Sequence, residues 1–215
     1  MGTVADATTN KQHFTKGNNI MNAQQVTARF ENLFNAIKNR NAAQYSKDND
    51  ITLSYMFKHE KTIKAGMVKF PAALFDSYIA NATQHDAKAC ARDAFVAVKV
   101  NVKIVRMLDA IGRGSIAPAD EYSQTIIANA LHNDGKIISK AALVCLSSNI
   151  EFSELDATQV IKNRMRKAAT TASTQRSSTR EALRILDLAS CNKGAKGNDI
   201  ELTSKGRELI EPLFA

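Results

Sequence analysis

From Asp86 to Ile111 the chain runs for 26 residues without a glycine, a proline or a cluster of turn-forming residues. Within that run Val96, Val98, Val100, Val102 and Ile104 alternate with Ala97, Lys99, Asn101 and Lys103, which is the period of a strand. Phe95, Val98, Val102, Val105 and Leu108 also line up as a helical stripe, and helix-forming residues flank the run on both sides. Length decides between the two: strands are short, so an unpunctuated stretch of this size predicts a long helix. Breakers are scarce elsewhere as well, with three prolines and nine glycines in 215 residues. A mainly α fold is the expectation.

The remaining punctuation divides the chain. Residues 1–20 are polar, rich in Thr, Asn and Lys, and read as a flexible arm. Val26, Phe30, Leu33, Phe34 and Ile37 fall on one face of a helix between Asn22 and Gln44. Residues 51–57 alternate like a short strand, and Pro71 is placed to start a helix through Ile79. The sequence Ile111-Gly-Arg-Gly-Ser-Ile-Ala-Pro118 carries two glycines and a proline in one short stretch, so residues 112–118 read as a linker. Residues 21–111 are then expected to be a helical domain for oligomerisation or partner binding, and 119–215 a second domain.

Composition closes off several classes of function. No apolar run approaches the roughly 18 residues of a membrane span, and Met1–Asn10 lacks the basic start and apolar stretch of a secretory signal. No membrane association is expected, and a cytoplasmic location follows as the expectation. Cys90, Cys145 and Cys191 are far apart and form no CxxC pair; His13, His59, His85 and His132 form no HxxxH or HExxH motif. There is no GxxxxGK[ST] loop, and the carboxylates form no paired motif. No catalytic residue, metal site or cofactor is expected, and the chain does not read as an enzyme. With no tryptophan and 6% aromatics it is also poorly suited to stacking single-stranded bases.

The formal charge is +8, of which residues 1–118 supply +7. Lysines recur at positions 58, 61, 64 and 69, and Lys99, Lys103 and Arg106 form a helical stripe. The second half is nearly neutral but segregated: between positions 162 and 184, Lys162, Arg164, Arg166, Lys167, Arg176, Arg180 and Arg184 face one acid, Glu181. Such a patch attracts phosphates, although many basic helices are merely solvated by their charge.

After the linker the spacing predicts a helix over Asp120–His132 burying Ile126, Ile127, Ala130 and Leu131, and ended by Asn133-Asp134-Gly135. A core helix is expected over Ile137–Leu146, and another from Ser153 through Val160, Ile161 and Met165 towards Ala169. Ser178-Thr-Arg-Glu181 has the form of a capping box, which would start a basic helix. A Gly/Lys turn follows at 192–199, then Ile200 and Leu202 as a short strand, then a helix capped by Thr203 and buried through Leu209, Ile210 and Leu213.

A capped basic helix, a glycine-lysine loop, a short strand and a closing helix, in that order, resemble the second half of a winged helix-turn-helix DNA-binding domain. The segment Leu-Thr-Ser-Lys-Gly-Arg-Glu-Leu is similar to the ending of many winged-helix repressors. The resemblance covers at most residues 119–215 and is sharp only over the last forty. It departs from the family at Ala168–Ser177, where a long stretch rich in Thr, Ser and Ala leaves the turn between the two key helices undefined. What it implies is a mainly α chain with a C-terminal winged-helix-like domain and a small β-wing that binds double-stranded DNA. Arg180 and Arg184 would enter the major groove, with Ser177 and Thr179 at the helix tip. Arg176 and Lys167 would contact backbone phosphates, and Lys193 and Lys196 would sit on the wing.

A transcription regulator or replication accessory factor of phage or mobile-element origin fits that expectation. It would work as a homo-oligomer, most simply a dimer, because two-fold sites call for two-fold proteins. The alternative is a non-enzymatic structural or assembly protein, a scaffold or virion component, whose helical domains bind protein partners, including through the N-terminal helices.

Overall fold

The computed structural model of the chain describes residues 94–147, 159–191 and 199–215, together with the single positions Ala28 and Leu74. The expected arm at 1–20, most of the helices at 22–44 and 71–79, the strand-like run at 51–57, the linking residues 148–158 and the lysine-bearing turn at 192–198 lie outside the described residues. No helix among those described is long and apolar enough to cross a membrane.

The long unpunctuated run is helical: α1 spans Ala94–Arg113. Val100, Val102, Ile104, Val105, Met107, Leu108 and Ala110 are all buried, and the polar stripe of Lys99, Lys103, Arg106 and Asp109 is itself at least half-buried. A helix buried this widely can carry Val100, Val102 and Ile104 inside at alternate positions, which accounts for that part of the strand-like alternation. Gly114, with φ +64°, ends the helix, and the Ser115 amide donates back to the Ala110 carbonyl at 3.1 Å. A short turn leads to α2, Glu121–His132, whose N-cap Asp120 accepts a hydrogen bond from the Ser123 amide.

Helix α2 closes as the sequence predicts. Asn133 is the C-cap, Asp134 takes φ +52°, and the Gly135 amide reaches the Ala130 carbonyl at 2.8 Å. The helix expected at 137–146 is shorter than its apolar run. Lys136–Ile137 form strand β1, and only Ser139–Val144 form α3. The reason is tertiary: Lys136 and Ile137 pair antiparallel with Glu201 and Ile200. The helix expected to continue through Val160 and Met165 is absent over residues 159–168, which are non-helical and bend at Asn163.

Helix α4 spans Ala169–Ile185, so it begins nine residues before the expected capping box at Ser178. The hydroxyls that would favour a cap are instead absorbed inside the helix. Thr174 Oγ1 donates to the Thr170 carbonyl and Ser178 Oγ to the Thr174 carbonyl, each at 3.0 Å. Leu186 caps α4, Asp187 turns left-handed at φ +59°, and strand β2 follows at Ala189–Ser190. Strand β3, Ile200–Leu202, pairs with β2 on one side and β1 on the other, giving a three-stranded antiparallel sheet in the order β1-β3-β2. Helix α5, Ser204–Ile210, begins at Thr203, which accepts the Gly206 amide at 3.0 Å, and a 3₁₀ turn at Glu211–Phe214 ends the chain.

One apolar core runs through these elements, from Val100 and Leu108 of α1 to Ile127, Leu183, Ile200 and Leu213, and it includes Leu74. Helix α1 packs most extensively against α4. Residues 112–118 therefore join helices that share one core. At Gly206 a Cβ would stand 1.8 Å from the Leu188 carbonyl oxygen, so only glycine lets α5 lie this close to the turn after α4.

Candidate nucleic-acid interface

Helix α4 is amphipathic in an unusual sense. Ala172, Ser178, Thr179, Ala182, Leu183 and Ile185 are buried, whereas Thr170, Ser173, Ser177 and Arg184 are exposed, with Arg180 half-buried. Positions 170, 173, 177, 180 and 184 step by three and four residues, so they form one stripe along the helix. Its outer face is made of hydroxyls and guanidinium groups. The stripe includes three of the residues expected at a groove: Ser177, Arg180 and Arg184.

The fourth, Thr179, lies on the other side of the helix. It is buried, and its Oγ1 meets Ser123 Oγ at 3.1 Å. Ser123 Oγ donates to Asp120 Oδ2 at 2.7 Å, so Thr179 must be the donor in that contact. Asp120 in turn takes the Lys103 ammonium at 2.5 Å. Thr179 thus belongs to an interior cluster joining α1, α2 and α4, and cannot serve as a helix-tip contact. The correction follows from the early start of α4, which puts Ser178 and Thr179 in mid-helix, against the core.

The expected phosphate contacts are also engaged within the protein. Arg176 donates to Ser139 Oγ at 2.6 Å, linking α4 to the start of α3, and its Nε is buried with no hydrogen-bond partner. Burial first, and then the neighbouring positive charge of Arg180, lower the Arg176 pKa. Lys167 pairs with Glu121 at 3.3 Å and lies 5.6 Å from the centre of the Tyr122 ring, whose environment also includes the Lys103 ammonium at 5.5 Å. Arg184 makes a two-pronged pair with Glu181, at 2.6 and 3.1 Å, and that hydrogen bonding raises its pKa. Lys193 and Lys196 lie outside the described residues.

In the interior cluster the two charged partners are unequal. Burial pushes the Asp120 carboxyl upward, but the Lys103 ammonium and hydrogen bonds from Lys103 and Ser123 outweigh it, holding the group below its usual range. For Lys103, which is 5% exposed, burial together with the nearby charges of Arg106 and Lys99 outweighs Asp120 and lowers the pKa.

A second feature escaped the sequence reading entirely. Residues 160–167 run beside α2, held by side chains on one flank and backbone on the other. Asn133 Oδ1 accepts the Val160 amide at 2.7 Å and its Nδ2 donates to the Val160 carbonyl at 2.8 Å. One turn earlier, the fully buried Asn129 accepts the amides of Lys162 and Asn163 at 2.9 and 3.1 Å and donates to the Asn163 carbonyl at 2.7 Å. On the other flank the amides of Met165 and Lys167 donate to the carbonyls of Cys145 and Leu146, and Arg164 donates to the Ser147 carbonyl. Ile161 and Met165 pack on the core, leaving Lys162, Arg164 and Arg166 exposed. The only available signal was the Asn-x-x-x-Asn spacing in α2, which puts two amides on one face.

Neither described cysteine is an activated thiol. Burial pushes the Cys145 thiol up to about 12, so it stays protonated at neutral pH, and burial raises Cys191 as well. Among the described residues no group of three or more His, Cys, Asp or Glu side chains could hold a metal ion. No protein-family model matches the chain, and no curated protein or solved structure matches it.

Proposed function

We propose that residues 119–215 form a winged-helix module that binds double-stranded DNA, with α1 built into its core, and that the chain acts as a transcription regulator or replication accessory factor. Support comes from the chain order α2-β1-α3-α4-β2-β3 around a sheet with β3 at its centre. The observation that carries the reading is the polar stripe of α4, on which Thr170, Ser173, Ser177 and Arg184 are exposed and Arg180 is half-buried. Hydroxyls and guanidinium forks are donors that can meet base edges in a major groove, and α4 is long enough to lie along one.

Ser177 and Arg180 are the central contacts. Arg184 exchanges its Glu181 partner for a base or phosphate; until then the carboxylate holds the guanidinium extended along the helix. The first-turn amides of α4 lack a side-chain cap and add partial positive charge beside Thr170, at the opposite end of the helix from Arg184. Self-association into a dimer, needed to read a two-fold site, is part of the proposal.

The test is duplex binding by the full chain from a random-sequence pool across a salt series, repeated with Arg180→Ala/Arg184→Ala. Selective binding should weaken by about 1–3 kcal/mol for each arginine that reads a base, with relaxed sequence preference and unchanged folding. Unchanged affinity in the double variant removes these residues from the interface. Weak, unselective binding by the wild type that vanishes near physiological salt favours the scaffold alternative. One observation already leans that way: Lys167, Arg176 and Arg184 all have partners inside the protein.

A further inference from the structure

The segment 159–168 poses a physical puzzle. It contains Lys162, Arg164, Arg166 and Lys167 and no acid, it forms no helix and only an isolated β-bridge at Lys167, and its charged side chains are largely exposed. A loop of that kind ordinarily gains nothing from a fixed shape, because its backbone can bond water and its like charges repel. Here its backbone is clamped from both flanks. Asn129 is fully buried to hold it, an expensive position for a carboxamide unless every group is bonded. Asn129 meets that condition, since its Nδ2 also donates to the Thr125 carbonyl at 2.8 Å. Ile161 and Met165 turn inward between the cations, which puts Lys162, Arg164 and Arg166 at alternate positions on the outer side. Lys167 is drawn aside to Glu121 and Tyr122, and Arg164 leans back onto the Ser147 carbonyl. No ion pair joins Lys162 or Arg166 to another described residue.

We propose that residues 160–167 form a preorganised cationic ridge that binds the phosphate backbone of duplex nucleic acid, with Lys162 and Arg166 as its contacting groups and Asn129 and Asn133 as positioning residues. This rests on the DNA-binding reading above and deepens it. The phosphate contacts move from Lys167 and Arg176, which are engaged internally, to two cations the fold leaves outward. The ridge leads directly into the first turn of α4, so a strand held on it runs past the end of the stripe that would read bases. Fixing the ridge before binding spares the ordering entropy that a loop of this length would otherwise lose on contact.

The experiment compares the full chain with Lys162→Ala/Arg166→Ala and with Arg113→Ala/Lys205→Ala, which removes two cations elsewhere. Each is titrated against a short random-sequence duplex over a range of salt concentrations, after thermal unfolding has shown that it is folded. Each phosphate contact contributes about 0.9 to the slope of log affinity against log salt, so the ridge variant is expected to lose about 1.8 of slope while keeping its sequence preference. The control should lose much less. Asn133→Ala, which retains every charge, is expected to bind the duplex several-fold more weakly. Equal slopes for ridge variant and control, or no loss in the ridge variant, overturn the ridge and leave the DNA-binding reading standing. Unchanged binding by Asn133→Ala overturns the positioning role. No salt-dependent duplex binding by the wild type overturns both.

Discussion

The two ends of α2 are held by polar groups of opposite kinds. At the N-terminal end, Asp120 and Ser123 meet Lys103 of α1 and Thr179 of α4 in a buried, charged cluster. At the C-terminal end, the neutral amides of Asn129 and Asn133 grip residues 160–163. The difference follows from what each must hold. Three helices have already satisfied their own backbones, so only side chains can fix their mutual register, and an ion pair with directional hydroxyls does this. A non-helical segment has unmet N–H and C=O groups, and a carboxamide presents an acceptor and donors together, as a neighbouring strand would. The charged cluster risks a large loss if one member is removed. The amide clamp fails locally.

The largest effect should come from breaking the charged cluster. Asp120→Ala leaves the Lys103 ammonium buried without its counter-ion and removes the N-cap of α2; a destabilisation of about 3–5 kcal/mol is expected from chemical denaturation. Replacing both partners, as Lys103→Met/Asp120→Leu, should recover much of that loss, because apolar groups of similar size carry no desolvation penalty. A double variant no more stable than Asp120→Ala would mean that the pair is worth more than its burial costs.

Asn129→Ala should cost less, about 1–3 kcal/mol, since the freed backbone groups of Lys162 and Asn163 can turn to water. Its signature is positional. Hydrogen exchange should accelerate at the amides of 162 and 163 while those of α1 and α4 stay protected, and a uniform loss of protection would contradict a local clamp.

The smallest effect is the response to acid. The Asp120 pKa is lowered in the fold, so its contribution to stability is present above the unfolded carboxyl value of about 3.9 and is lost as pH falls through the lower folded value. The clamp carries no titrating group. Thermal stability should therefore decline more steeply below about pH 4 in the wild type than in Asp120→Asn, whereas Asn133→Ala should keep the wild-type pH slope.

Much of the fold was legible because it rests on local chemistry. The Asn-Asp-Gly ending of α2 and the Thr203 cap of α5 are set by residues within a few positions of one another. Less of the candidate interface was legible. Ser177, Thr179 and Arg180 stand almost side by side in the sequence, but Ser177 is exposed, Thr179 is buried and Arg180 lies between. Their fates depend on where α4 begins. The Ser178–Glu181 pattern gave the wrong start because internal back-bonding of Thr174 and Ser178 satisfied the hydroxyls without a cap.

By itself the sequence determined the mainly helical make-up of the described region, the glycine-marked turn after α1, the ends of α2, the start of α5, and a basic run from Lys162 to Arg184. Each follows from intrinsic propensity, short-range capping or net charge, which act over a turn or two of chain. The tertiary structure decided the strand identity of Lys136–Ile137, the non-helical course of 160–167, the burial of Thr179 and the internal partners of Lys167 and Arg176. Those outcomes depend on groups 17 to 65 residues apart: Lys103 with Asp120, Asn129 with Asn163, Ser123 with Thr179, Lys136 with Glu201. Such contacts are selected only when the whole core closes, because a polar group committed to the interior takes whichever distant partner the packing brings to it.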